Sequence, residues 1–532
     1  MDISSITKQL ETSASSLFEK ISASSVTDRG NLEKIGKVAV ITWATYLVSS
    51  KLYDAFLGPL SSIPGPLGLK FFEMRYYPGI ESPPGSSWEK IKAWRDQYGD
   101  TVRLGPNRVG ISDKRMLRQI LLKDDLPKGP MYTRLQRRSP PTLFNTRDKP
   151  FHKQRRRIIS PAFSVKYLNS LEGYMRETTQ SFIDRIDRDI NETKNENGYG
   201  QVDIWILLQY LALDIIGETA FGKTFHMLEG NDHVVPRTIS ISMEKSSYLV
   251  THPILGPLSM LLPFSGVLKA NNDLKAFMTK IIVERLKGGE KARRNDILQI
   301  LIDTQHANDT EDRLTAESIA QETVLFLVAG SETTSNTTGF AFIELMKNPE
   351  AFAKLREEID TVEFEQGQKL FHNEQLKHLP YLNAVIDETL RLDAISVGGA
   401  ERMPDRDIVL DGKLFVPKGT ILHCNMYHAH VDPAYWSEPE KWIPERWIED
   451  SDYPQKADHD AFFPFSAGSR NCIGKTFAQQ EMRLSIANLV KLFDIEAIPE
   501  QVALGEERRA FITLQINSNS YKVLMKRRTT NA

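Results

Sequence analysis

Ten residues near the C-terminus, FSAGSRNCIG from Phe465 to Gly474, hold one cysteine in a loop bracketed by glycines. The stretch that follows, Lys475 to Leu492, has the apolar spacing of an amphipathic helix and puts Cys472 at a helix N-terminus. Free backbone N–H groups and the helix dipole stabilise a thiolate there, and a thiolate is a good ligand for a soft or redox-active iron. Gly468 permits a tight turn, and Gly474 lets the backbone approach a large flat ligand closely. Arg470 is suited to pair with a carboxylate, and Phe465 to cover the sulfur and keep water from it. Two plainer readings compete. A lone cysteine in a long chain is most often an inert buried residue. Gly474-Lys475-Thr476 also ends like a phosphate loop, but five residues rather than four separate Gly468 from Gly474, and no clear strand precedes them.

The chain has 532 residues, enough for one large or two to three ordinary domains, and 41% hydrophobic with 26% charged residues is enough to build a sizeable core. A formal net charge of −2, without zinc-finger spacing or an arginine-rich arm, argues against a nucleic-acid partner. Only Cys424 and Cys472 are present. With Cys472 on iron, no intramolecular disulfide remains, which suits a reducing, cytosol-facing compartment.

Residues 1–37 are polar and Ser-rich, with no cleavage-site pattern behind a short apolar core. Residues 38–60 are apolar but broken by Lys51 and Asp54, a marginal match to the about 20 apolar residues of a spanning helix and equally readable as an interfacial segment. Residues 61–85, with Ile63-Pro64-Gly65-Pro66, read as a stiff proline-rich hinge, and the globular body is expected from Ser86 to residue 532. Trp88 to Tyr98 has helical spacing, and Val102–Leu104 with Val109–Ile111 alternates like a hairpin. Pro127 to Pro150 reads as a loop whose apolar members include Tyr132, Leu143 and Phe144. Phe151 to Ser164 reads as a strongly basic helix, and Val202 to Phe221 as a buried helix closed by Gly222. His252 to Phe264 is apolar and punctuated by prolines, and Val267–Gly288 and Asp296–Asp303 are further helices.

Thr315 is an N-cap candidate for a helix running to Lys347, roughly 45–50 Å long. Val324 to Ala329 is apolar on every face, after which Gly330, Ser331, Glu332, Thr333 and Thr334 form a polar run whose hydroxyls can bond back to carbonyls one turn earlier. Glu388 and Arg391 share one face of another helix. Asp411-Gly412 and Pro417-Lys-Gly are turns, and Phe511 to Lys522 reads as a final hairpin with its tip at Asn517–Ser520.

Taken together, the F-x-x-G-x-R-x-C-x-G loop, Ala329-Gly330-x-Glu332-Thr333-Thr334, the Glu388/Arg391 pair and Pro444-Glu445-Arg446-Trp447 resemble, in order and spacing, the cytochrome P450 family, in its microsomal, filamentous-fungal form. The resemblance implies a mainly α fold with a small antiparallel β region in a single large domain. It implies haem b (iron protoporphyrin IX), with Cys472 as the iron's ligand and Ala329 and Gly330 against the cofactor. Thr333 and Glu332 would be the alcohol–acid pair of oxygen activation. His152, Arg156, Arg402 and Arg470 would hold the propionates, with His152 standing where the family carries tryptophan. Lys153, Arg155 and Arg157 would then be free to face an acidic redox partner. Glu388, Arg391 and Arg446 would form a buried lock. Residues 38–60 would anchor the chain in the endoplasmic reticulum membrane with its body facing the cytosol. The implied reaction is O2-dependent hydroxylation of an apolar small molecule, a steroid first and a terpenoid, fatty acid or xenobiotic otherwise. Electrons would come from NADPH–cytochrome P450 reductase. Leu143, Phe144, Phe326, Ala329, Val397 and Ile516 are the expected pocket residues. A haem-thiolate isomerase or dehydratase, which needs no electrons, and a haem sensor or carrier are the competing expectations.

Overall fold

A computed structural model describes residues 29–136, 140–230, 238 and 267–529. The apolar stretch His252–Phe264 lies outside the described residues. The chain divides between Ser62 and Ile63 into two compact units. In the first, a single helix, α1 (Arg29–Phe56), begins nine residues before the expected apolar stretch and stops before its end. Val40, Ile41, Trp43, Tyr46 and Val48 are exposed along it. Among the described residues, the one helical stretch apolar enough by composition to cross a membrane is Ile204–Phe221, and it is mostly buried, as a core helix is.

The second unit begins at Ile63, so most of the segment expected as a hinge is packed into the body. Arg103 N donates to Pro64 O at 2.7 Å, Leu69 is fully buried and Ile80 nearly so. Strands β1 (Thr101–Gly105) and β2 (Arg108–Ile111) form the expected hairpin. The 127–150 stretch, read as loop throughout, contains a short helix at Met131–Gln136. Helix α2 (Lys149–Ile159) starts where Asp148 Oδ1 accepts from Phe151 N at 2.6 Å, and a single tight turn extends it to Phe163. Helix α3 (Val165–Thr193) leads to strand β3 (Gly200–Asp203) and to α4 (Ile204–Ile216). The stretch expected as one helix therefore begins in a strand. Gly222, at φ 68°, closes it as expected.

Helix α5 (Ala316–Lys347) is the axis of this unit. Thr315 Oγ1 accepts from Ser318 N at 3.1 Å and caps it, with Glu317 in its first turn and Lys347 in its last, both favourable to the helix dipole. It is buried without interruption from Thr334 to Met346. Helix α4 packs along it closely enough that a Cβ at Gly339 would come within 2.5 Å of the Trp205 ring. Helix α6 (Pro380–Leu392) follows. Next come β4 (Ala400–Arg402), β5 (Ile408–Leu410), β6 (Leu414–Val416) and β7 (Ile421–Cys424). The β5–β6 turn is the expected one, with Asp411 and Gly412 both at positive φ, 48° and 67°. One sheet has the order β1-β2-β7-β4 and contains one parallel pair, β2 with β7.

Helix α7 (Lys475–Leu492) runs into β8 (Phe493–Ala497). The expected final hairpin is corrected. Strand β10 (Leu514–Ile516) pairs backwards with β9 (Arg508–Ala510), so the turn lies at Phe511–Thr513. Strand β11 (Lys522–Arg527) instead joins β3 and β8, because Val523 and Met525 alternate into the core there. The fold is mainly helical, as expected, with small peripheral sheets.

Candidate active site

The cysteine loop is shaped by its backbone. Gly468 sits at φ 74°, and a Cβ there would lie 1.9 Å from Leu121 O, so only glycine fits. Cys472 N donates to Phe465 O at 2.9 Å and Ser469 Oγ to Asp125 Oδ1 at 2.7 Å, closing the loop on itself and on the body. Gly474 is the N-cap of α7, and its N–H donates to the Cys472 thiol. The Cys472 side chain is solvent-accessible although protein surrounds it on most sides, as on the wall of an internal space. Burial pushes its thiol up, and the Gly474 N–H and the Arg156 guanidinium pull it back toward the thiolate. Cys424, by contrast, is fully buried in β7 and pushed up to about 12 by that burial.

The polar turn of α5 is arranged as expected. Ser331 Oγ donates to Leu327 O at 2.8 Å and Thr333 Oγ1 to Ala329 O at 2.7 Å, so the helix accommodates both hydroxyls without a break. Ala329 is exposed in the middle of this buried helix, and Glu332 and Thr333 are partly exposed. Gly330 has a packing reason. A Cβ there would meet Ile216 Cδ1 of α4 at 3.0 Å. The Phe163 ring lies 5.6 Å from the Phe326 ring, one turn before Ala329, and 3.9 Å from where a Gly474 Cβ would be. The Phe163 ring thus lies between the cysteine loop and the turn of α5 that precedes the polar run. Phe326 is buried at 6% exposure in the main core, its ring tilted 58° to that of Phe163.

Cations converge beside the loop. Arg470 donates to Thr146 O at 2.8 Å and Asp148 O at 3.3 Å, and Arg402 Nη1 to Glu401 O at 3.0 Å. Lys128 lies 4.4 Å over the Tyr132 ring, donates to Phe144 O and bridges the Arg402 backbone. Among the described residues, no carboxylate lies within ion-pair distance of Lys128, Arg402 or Arg470. Burial and then Arg470, Lys128, Arg156 and Arg402 push His152 down to about 3. Burial and then Arg402 push Arg470 down to about 10, and burial with the same arginines holds Lys128 well below the usual lysine range. Such mutually repelling buried cations, without a carboxylate in ion-pair contact, fit a ligand carrying two carboxylates. With the accessible Cys472 sulfur and the exposed Ala329, the residues present fit an iron porphyrin.

Two assignments change. Arg156 does not join that cluster through its hydrogen bonds. Its guanidinium donates to Ser469 O (3.1 Å), Asn471 O (2.8 Å) and Asn471 Oδ1 (2.5 Å), bracing the cysteine loop. Arg155 is not free for a partner. It is buried and faces Glu322 at 3.4 Å, whose carboxyl burial pushes up to about 7. Arg157 pairs with Asp312 at 2.5 Å, whereas Lys153 is exposed. Lys128 and Tyr132 are members the sequence reading missed. Nothing local marks them, since the strand they meet lies far along the chain.

Leu143 is buried and its N–H donates to Glu322 at 2.9 Å. Val397 and Ile516 lie in the main core. Phe144 is 42% exposed, with its ring 4.6 Å from the buried Lys128 Nζ. The lock is complete. Arg391 donates to both Glu388 oxygens at 2.8 Å, and Arg446 Nε to Oε1 at 3.0 Å. Trp447 Nε1 and Ile443 N each donate to the same carboxylate at 2.8 Å.

Residues 66–525 match the family model described as Cytochrome P450. The chain is 31% identical over 493 residues to the cytochrome P450 monooxygenase FUS8 of Gibberella moniliformis, covering 91% of this chain and 92% of that one. It is 32% identical to the cytochrome P450 monooxygenase acrD of Aspergillus aculeatus, over 81% and 84% of the two chains. It is 29% identical to the benzoate 4-monooxygenase bphA of Aspergillus niger, over 88% and 93%.

Proposed function

This chain belongs to the cytochrome P450 family of haem-binding monooxygenases, and we propose that it hydroxylates an apolar small molecule using haem b, O2 and electrons from NADPH–cytochrome P450 reductase. The observation that carries this reading is the pairing of two features in one unit, the Cys472 loop and the Thr333–Glu332 turn of α5. A carrier has no use for the second, and an isomerase needs no proton supply for oxygen. Bound through Cys472, haem iron supplies dioxygen binding and reductive O–O cleavage, to which thiolate electron donation contributes. The protein does the rest. Gly474 N–H and Arg156 favour the thiolate against burial, and Cys472 would give up its proton on taking the iron. His152, Lys128, Arg402 and Arg470 would hold the two carboxylates of the haem. Thr333 Oγ1 and the Glu332 carboxyl would hold the protons that oxygen activation needs, and burial keeps Glu332 raised toward its protonated form. One oxygen atom enters the product and the other leaves as water.

Steroids are the first class to screen, before terpenoids, fatty acids and xenobiotics. The relative named for benzoate adds aromatic acids. NADPH consumption, hydrogen peroxide and product, measured together with reductase and substrate, test the reading. Wild type is expected to couple NADPH to product. Thr333→Ala should still consume NADPH, but its electrons should leave mostly on O2 as hydrogen peroxide, with product down at least about tenfold. Product formed without NADPH would identify an isomerase, and tight coupling in Thr333→Ala would remove the threonine's role.

The proposed location is the endoplasmic reticulum membrane, held by α1 with the second unit in the cytosol. Support comes from the helix's exposed apolar side chains, with Trp43 and Tyr46 suited to an interface. Full-length protein should sediment with membranes and resist alkaline carbonate, and a truncation starting at Ser62 should be more soluble and retain haem. Full-length protein in the soluble fraction would overturn the anchor.

A further inference from the structure

The acid of the Thr333–Glu332 turn has a partner outside its own helix. Glu332 Oε2 accepts from Thr513 Oγ1 at 3.0 Å, and Thr513 is buried at the end of the β9–β10 turn. One helical turn later, Asn336 Nδ2 donates to Leu514 O at 3.0 Å. Residues 332 and 336 share a face of α5, so two bonds stitch that face to consecutive residues of one strand. The strand is fixed in turn, because Leu514 N donates to Ile395 O at 2.9 Å, just beyond the Glu388–Arg391 helix. Thr513 is the one hydrogen-bond partner that the Glu332 carboxyl has among the described residues. A glutamate side chain has three rotatable bonds, and a partly exposed one with a single hydrogen-bond partner takes its direction from that contact.

We propose that Thr513 is a positioning residue for proton delivery. Its hydroxyl holds the Glu332 carboxyl in the rotamer that serves Thr333, and so ties the acid's aim to the β9–β10 turn. The inference rests on the proton-delivery reading above. Leu514 and Ile516 on the same strand are buried in the core, so a change in that strand's seating reaches Glu332 through this bond.

Thr513→Val keeps the shape and removes the hydroxyl, and Thr513→Ser keeps the hydroxyl. A packing role would treat the two in the opposite order. In holoenzyme with reductase and substrate, Thr513→Val should raise the peroxide-to-product ratio about fivefold. Thr513→Ser should stay close to wild type. A second readout does not depend on turnover. The hydrogen bond from Thr513 favours the ionised carboxylate, against burial. The carboxyl stretching band that disappears in Glu332→Gln should therefore titrate at higher pH in Thr513→Val than in wild type. If Glu332→Gln uncouples turnover while Thr513→Val remains coupled with an unshifted band, the positioning role is wrong and proton delivery stands. If Glu332→Gln is itself fully coupled, the proton-delivery reading falls and the Thr513 assignment falls with it.

Discussion

Glu388→Ala is expected to yield little folded, haem-containing protein, although Glu388 touches neither cofactor nor substrate. Its carboxylate is fully buried and accepts from Arg391, Arg446, Trp447 Nε1 and Ile443 N. Arg391 spends its remaining N–H groups on His430 O, Pro439 O and Lys441 O, at 2.7–2.9 Å. One side chain thus fastens α6 to the 430–447 segment. Alanine leaves two buried guanidinium groups without an anion, a cost of about 3–5 kcal/mol. Against a total stability of about 5–15 kcal/mol, that is a large share. Haem per polypeptide and melting temperature check it. A wild-type melting temperature in Glu388→Ala would mean that the surrounding carbonyls suffice and the carboxylate is dispensable.

The lock and the cysteine loop were legible in the sequence because each is a short-range pattern with a fixed physical cause. Glu388 and Arg391 meet by helix spacing, and Gly468 is required by its positive φ. Thr315, Gly222 and the Asp411-Gly412 turn were legible for the same reason, since caps and turns are written in a few adjacent residues. What depends on distant strands was not. The basic run 153–157 reads as free to face an acidic partner, yet its middle member Arg155 turns inward to Glu322 on α5. Lys128 becomes part of the cation cluster only because its backbone bridges Arg402. The last hairpin was misplaced because Asn517–Ser520 carries good turn residues, whereas the register is decided by where Val523 and Met525 can be buried. The pocket residues suffered similarly. Apolar character identifies Phe326 and Phe144 as candidates, but it does not show that the Phe326 ring packs on Phe163 or that the Phe144 ring lies against the buried Lys128 cation.

Cys472→Ala should abolish thiolate ligation while leaving the rest of the site standing. The cation cluster, the Phe465–Cys472 backbone bond and the Arg156 brace do not use the sulfur. Haem should therefore still bind, less tightly, without its thiolate. Cys424→Ala is the control, because that thiol is buried in β7, pushed far from ionisation, and has no glycine-bracketed loop around it. The reduced carbon monoxide difference spectrum reads the axial ligand directly. Wild type and Cys424→Ala are expected to give the red-shifted band of a thiolate-ligated haem, and Cys472→Ala to lose it. A red-shifted band that survives in Cys472→Ala would contradict the assignment of the site, and with it the account of how this chain activates oxygen.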